Sequence, residues 1–173
     1  MTILPNPDFK FISASAARFI AFGFGSGLSP KAPGTVGSLV GVALYLFLSL
    51  FLSGSAIFGV LILCFGMGVW ACDKTGRDLG VADHGGMVWD EIVAMMLVLL
   101  FMPPSLVLYG LAFAVFRLFD IWKPFPINWL EKKYKGGFGV MVDDVMAAIY
   151  SIALLWALIA SLNFPNWNII ISI

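Results

Sequence analysis

Charge is what this chain has least of. Lysine, arginine, aspartate and glutamate together make up 12% of it, against roughly 25% in a soluble domain, and that scarcity excludes an ordinary water-solvated surface. Ten basic residues balance ten acidic ones, so no net field draws the chain to nucleic acid. There is one histidine, and there are two cysteines. Cys64 and Cys72 share one apolar segment, with no spacing or histidine partner suited to zinc, so thiol redox and Cys/His metal roles are set aside. Residues 1–15 lack the basic start, apolar core and small-residue cleavage site of a signal peptide, and are expected to remain in the mature chain. Walker and Rossmann glycine motifs are missing, as are internal repeats and low-complexity stretches.

What the chain has in abundance is apolar surface: 61% of its residues are hydrophobic, and its mean hydropathy is +0.98. A domain of this size buries only about 70% of its surface, so much of that material must face lipid or partners. Five apolar runs stand out, at 36–52, 56–72, 87–102, 105–121 and 145–162. Each approaches the roughly 20 helical residues that cross a bilayer core. Ser, Gly and Pro clusters separate them. The expected fold is therefore all-α: a multi-pass helical membrane protein, one membrane-embedded domain over 1–173, with about five transmembrane helices. Residues 9–24, which embed Lys10 and Arg18, are expected to form an amphipathic helix on the membrane surface.

Lys10, Arg18 and Lys31 precede the first run. Lys74 and Arg77 follow the second, and Lys123, Lys132, Lys133 and Lys135 follow the fourth. The connections around Gly54 and Pro103, and the tail after Leu162, carry no charge. The positive-inside rule places the charged connections in the cytoplasm. Trp70, Trp89, Trp122 and Trp129 fall near that boundary and read as interfacial anchors.

The remaining ionisable residues gather at the same depth. Asp83 and His84 precede the third run, Asp90 and Glu91 open it, Arg117 and Asp120 close the fourth, and Asp143 and Asp144 begin the fifth. Ionisable groups at membrane depth are costly and mark function. Acids in a first helical turn also suit the helix dipole, but capping does not account for Arg117, Asp120 and the lone His84 at one level. Adjacent acids diverge by about 100° on a helix, so each pair is expected to aim at least one carboxylate inward. Carboxylates without a Cys/His set suit a hard ion such as magnesium, giving Asp90, Glu91, Asp143 and Asp144 as its ligands.

Arg117 and Asp120 share a helix face, with Lys123 a further three residues on. Arg117 offers a planar fork for phosphate or an internal ion pair to Asp120. The glycine-rich segments 23–38 and 136–139 open helices on this side, where free amides hold anions. Ser29, Lys31, Thr35 and Ser38, with Arg117 and Lys123, are the expected phosphate-binding groups. Asp83, His84 and Asp120 are the expected catalytic groups, the first two for proton transfer.

Four strings carry a resemblance: GFGSGLSPKAPGTVGS at 23–38, DHGGMVWDE at 83–91, FRLFDIWKPFP at 116–126 and GGFGVMVDD at 136–144. Together, in this order and separation, the chain resembles the bacterial phosphatidylglycerophosphatase A family. The resemblance implies a magnesium-dependent hydrolase of the inner membrane that takes the terminal phosphate from phosphatidylglycerophosphate, leaving phosphatidylglycerol. The rival from another class is a cation or proton transporter using the same carboxylates, which would require acids near the midplane. The topology has a direct test. Cysteines placed at Gly54 and Pro104 are expected to react with an impermeant thiol reagent from outside the cell, and one at Lys133 only after the membrane is breached. Labelling at Lys133 in intact cells would invert the orientation.

Overall fold

Strand-forming alternation is missing from the sequence, and the computed structural model, which describes residues 7–161, contains only helices and turns among them. The helices are α1 (Phe9–Ser13), α2 (Ala16–Ala21), α3 (Pro33–Ser49), α4 (Gly54–Leu79), α5 (Trp89–Leu100), α6 (Leu106–Trp122), α7 (Ile127–Lys133) and α8 (Gly137–Ser161), with a 3-10 segment at Gly23–Leu28. Their boundaries follow local chemistry. Ser53 and Ser105 cap α4 and α6 through their hydroxyls, and Pro33 opens α3, where its missing N–H is harmless. Gly80, at φ 71°, ends α4 in the left-handed region that glycine tolerates.

The helices α4 and α8, of 26 and 25 residues, are long and apolar enough to cross a membrane. The other three predicted spans are shorter: α3 and α6 have 17 residues each and α5 has 12, the last reaching roughly 18 Å. The helix α4 continues past its apolar run because ion pairs support the extra turns. Arg77 Nη1 lies 2.6 Å from Asp73 Oδ2, and Asp78 Oδ2 meets Arg18 Nε at 2.8 Å and Lys74 Nζ at 3.9 Å. Lys74 and Arg77 thus sit on a helix, not in a loop. The helix α8 starts at Gly137, well before position 145, so Asp143 and Asp144 lie within the helix instead of at its head. The tail after Leu162 is outside the described residues.

Residues 9–24 do not form the single amphipathic helix expected. The chain breaks between α1 and α2, and Ile12, Ala17, Ala21 and Phe22 are fully buried. Arg18 anchors this segment through Asp78 on α4. Trp89 is likewise no surface anchor: it is buried, and its indole N–H donates to the Cys64 carbonyl at 3.0 Å, tying α5 to α4. Trp70, Trp122 and Trp129 are exposed.

The short α5 is the hub, packed against α3, α4, α6 and α8, and most of its residues are buried. Glycine permits a close approach of α3 to the head of α5, since a Cβ at Gly37 would stand 2.7 Å from Val88 Cβ. The outer faces are apolar. Phe47, Leu63, Leu106 and Val107 are exposed there, and such a surface marks contact with lipid or partners. Gly37→Leu is expected to destabilise the fold by about 1–3 kcal/mol through overpacking, whereas Gly59→Ala, which meets open space, leaves it intact. Thermal unfolding in detergent distinguishes the two.

Candidate active site

Burying α5 on most sides leaves the first turn of that helix no outward face, so Asp90 and Glu91 both turn inward. From α8, Asp144 joins them. One carboxylate oxygen from each of the three lies within 4.8 Å of the other two. Asp90 and Asp144 are buried, and Asp90 Oδ1, Glu91 Oε2 and Asp144 Oδ2 have no hydrogen-bond partner. Buried lone pairs of this kind are ordinarily satisfied.

Positive charge reaches the cluster from α6. Arg117 Nη1 stands 2.5 Å from Asp120 Oδ2, 3.9 Å from Glu91 Oε1 and 3.4 Å from the Ser38 hydroxyl. Ser38 is itself buried and donates to the Gly34 carbonyl at 2.9 Å. The first turn of α3 closes over this network without a side chain, because a Cβ at Gly34 would overlap Glu91 Oε1 and stand 3.1 Å from Arg117 Nη1. On the other flank Lys123 Nζ pairs with Asp143 Oδ2 at 2.6 Å, and the Asp144 amide donates to Asp143 Oδ1 at 3.2 Å.

Asp90, Glu91, Asp120, Asp143 and Asp144 therefore face two cations, Arg117 and Lys123. Uncompensated carboxylates in a buried site are strongly unfavourable. The donors are all oxygen, three of them are orphaned, and the local charge is negative. That set fits a hard divalent ion such as magnesium, which binds through one or two carboxylates and retains waters.

The predicted residues separate accordingly. Asp90, Glu91 and Asp144 come together, whereas Asp143 turns to Lys123, whose amine is thereby occupied by a protein carboxylate. Asp120 engages Arg117. Of the predicted phosphate ligands, Ser38 lies behind Arg117 and Thr35 is half-buried in the first turn of α3. Ser29 donates to the Lys31 carbonyl at 2.9 Å, and Lys31 is exposed. Asp83 is exposed on the connection between α4 and α5. Beside it, His84 is half-buried, with Nδ1 accepting from the Gly86 amide at 3.0 Å. The glycines at 136–139 serve packing: a Cβ on Gly137 would overlap the Val69 carbonyl, and one on Gly139 the Tyr134 carbonyl. Sequence reasoning missed the part played by Gly34. Its signal is the spacing Gly34, Gly37, Gly41, which lays glycines along one face of α3.

The helical scaffold and its buried carboxylate–guanidinium centre define the class: an all-helical protein with an oxygen donor set suited to a divalent cation. Residues 19–159 match the sequence model of the Phosphatidylglycerophosphatase A family, and the chain belongs to that family. Phosphatidylglycerophosphatase A of Haemophilus influenzae is 47% identical over 155 residues, covering 88% of this chain and 94% of the relative. The Escherichia coli protein of the same name is 39% identical over 163 residues, covering 90% and 93%. A Bacteroides thetaiotaomicron protein, provisionally named a phosphatidylinositol-3-phosphatase, is 39% identical over 143 residues, covering 79% and 89%. No solved structure matches the chain.

The Lys123–Asp143 pair is open to a double-mutant test. Lys123→Met removes the cation that faces a buried carboxylate and is expected to destabilise the protein by about 3 kcal/mol, most of which is recovered on adding Asp143→Asn. Additive losses in thermal unfolding would show that the two side chains act independently.

Proposed function

We propose that this chain hydrolyses the terminal phosphate monoester of phosphatidylglycerophosphate, releasing phosphatidylglycerol and phosphate, with magnesium held by Asp90, Glu91 and Asp144. The observation that carries this reading is the set of three orphaned carboxylate oxygens beside Arg117, in a chain closely similar to two proteins of that name. When bound, magnesium supplies Lewis-acid polarisation of a phosphoryl oxygen and activation of water.

The protein supplies orientation and charge. Arg117, fixed by Asp120 and Ser38, presents its guanidinium to the phosphate oxygens. Lys123 neutralises Asp143, which keeps the flank of the cluster from repelling an anionic headgroup. Asp83 and His84, on the connection beside the site, carry the proton to the departing glycerol oxygen. The lipid substrate supports a membrane reading in which α3, α4, α5, α6 and α8 cross the bilayer as one domain, their charged ends at the cytoplasmic face of the inner membrane. The transporter reading finds no support, since the carboxylates gather at one end of the helices instead of along a path between them.

Phosphate release from phosphatidylglycerophosphate by the purified protein in detergent, with and without magnesium, tests the proposal. Phosphatidylinositol 3-phosphate serves as the competing substrate. Asp90→Asn and Asp144→Asn are each expected to lower turnover on the order of 100-fold or to raise the magnesium requirement. Arg117→Ala is expected to lower kcat/KM by about 100-fold with little change in that requirement. Wild-type activity and unchanged magnesium dependence in both aspartate variants would remove the cluster from the mechanism. Preference for the inositol lipid would reassign the substrate.

A further inference from the structure

Beside the carboxylate cluster, a cleft of about 240 Å³ opens between the α4–α5 connection and the head of α8, with Ala82, Asp83, Tyr134, Lys135, Gly136 and Asp143 in its lining. Its link to the cluster is through α8. Asp143 forms part of its wall, and the next residue, Asp144, turns to Asp90 and Glu91. The two cations nearest the cluster, Arg117 and Lys123, are engaged by Asp120 and Asp143. Lys135 lies exposed at the cleft. Phe125, Trp129 on α7 and Phe138 at the head of α8 are exposed. Such aromatic residues settle at the depth of lipid headgroups.

The proposed substrate carries a second anion. Its phosphodiester is joined to the terminal monoester through a glycerol bridge bearing one hydroxyl. With the monoester at the cluster and Arg117, that bridge needs polar space to one side and the phosphodiester needs a cation at its end. Resting on the functional reading above, we propose that this cleft is a headgroup subsite, in which Lys135 pairs with the phosphodiester. Lys135 is thus a specificity-determining residue, remote from the bond that breaks.

The test uses the full-length enzyme with dioctanoyl phosphatidylglycerophosphate as substrate and two inhibitors. Dioctanoyl phosphatidylglycerol carries the phosphodiester and glycerol without the terminal phosphate; inorganic phosphate carries only the latter's chemistry. Lys135→Glu is expected to raise KM about tenfold, to weaken inhibition by phosphatidylglycerol to a similar degree, and to leave kcat and inhibition by inorganic phosphate nearly unchanged. Ala82→Phe, which narrows the cleft from an exposed position, should reproduce the pattern, and Lys135→Arg should restore wild-type values. Unchanged KM and phosphatidylglycerol inhibition in both Lys135→Glu and Ala82→Phe would overturn the subsite. Equal weakening by inorganic phosphate would also overturn it, by assigning Lys135 to the terminal phosphate. A wild-type enzyme that releases no phosphate from this substrate would overturn the functional reading and the subsite with it; an active one whose variants behave as wild type overturns the subsite alone.

Discussion

Three carboxylates meeting at the contact between α5 and α8 repel one another in a medium that screens poorly, and the arrangement stands only where positive charge is brought to it. The neighbouring elements are placed to do so. The helix α6 delivers Arg117 between Glu91 and Asp120. The first turn of α3, whose N-terminal pole is positive, reaches Glu91 and Arg117 because Gly34 has no side chain to hold it off. Lys123 removes the charge of Asp143. What remains is negative charge concentrated on Asp90, Glu91 and Asp144, together with the orphaned oxygens that make a hard cation a fitting occupant. A site of this kind is preformed by its own imbalance: the fold supplies most of the compensation and leaves the remainder to what binds.

The gathering of these groups was readable from the sequence because an ionisable side chain is costly inside an apolar run and so collects at its edges. That constraint located Asp90, Glu91, Arg117, Asp120, Asp143 and Asp144 at one end before any packing was known. The direction of each side chain was not readable. Divergence by about 100° between adjacent residues suggested that an acidic pair need send only one carboxylate inward, yet α5 is enclosed on most sides and both Asp90 and Glu91 point in. On α8 the same divergence does separate the pair, because Lys123 offers Asp143 a partner in another direction. Residues 9–24 misled for a related reason. Their mixture of Lys10, Arg18 and apolar side chains has the look of a surface helix, while Ala17 and Ala21 are small enough to bring the segment against α4, and Asp78 satisfies Arg18.

Glycine carried two meanings that composition could not separate. In the segment 136–139 it permits close contact with Val69 and Tyr134, which is a packing role although the sequence context suggested anion binding. At Gly34 close contact and function coincide, because the chain it brings near is the one that carries Glu91 and borders Arg117. Trp89 makes the same point for aromatics. A tryptophan beside a charged edge reads as a membrane anchor, but its N–H is taken by the Cys64 carbonyl and its ring fills the core.

Asp144 stands seven residues beyond Gly137, the first residue of α8, which puts the cluster roughly 10 Å inside the start of that helix. Recession of that size has electrostatic consequences. Thinner water weakens screening, so the attraction of the carboxylates for a cation and of Arg117 for phosphate is stronger than it would be at the helix end. The same recession sets the approach. A soluble phosphate ester would have to surrender its hydration to reach the cluster with no compensating contact, whereas on the proposed function a lipid would keep its acyl chains against apolar outer faces of the helices and commit only its headgroup to the recess. On the proposed function, the scarcity of charge along the chain and its concentration in one cluster are two aspects of one arrangement, in which the apolar exterior would hold the substrate's tails while Arg117, with the cation the acids would hold, would receive its phosphate.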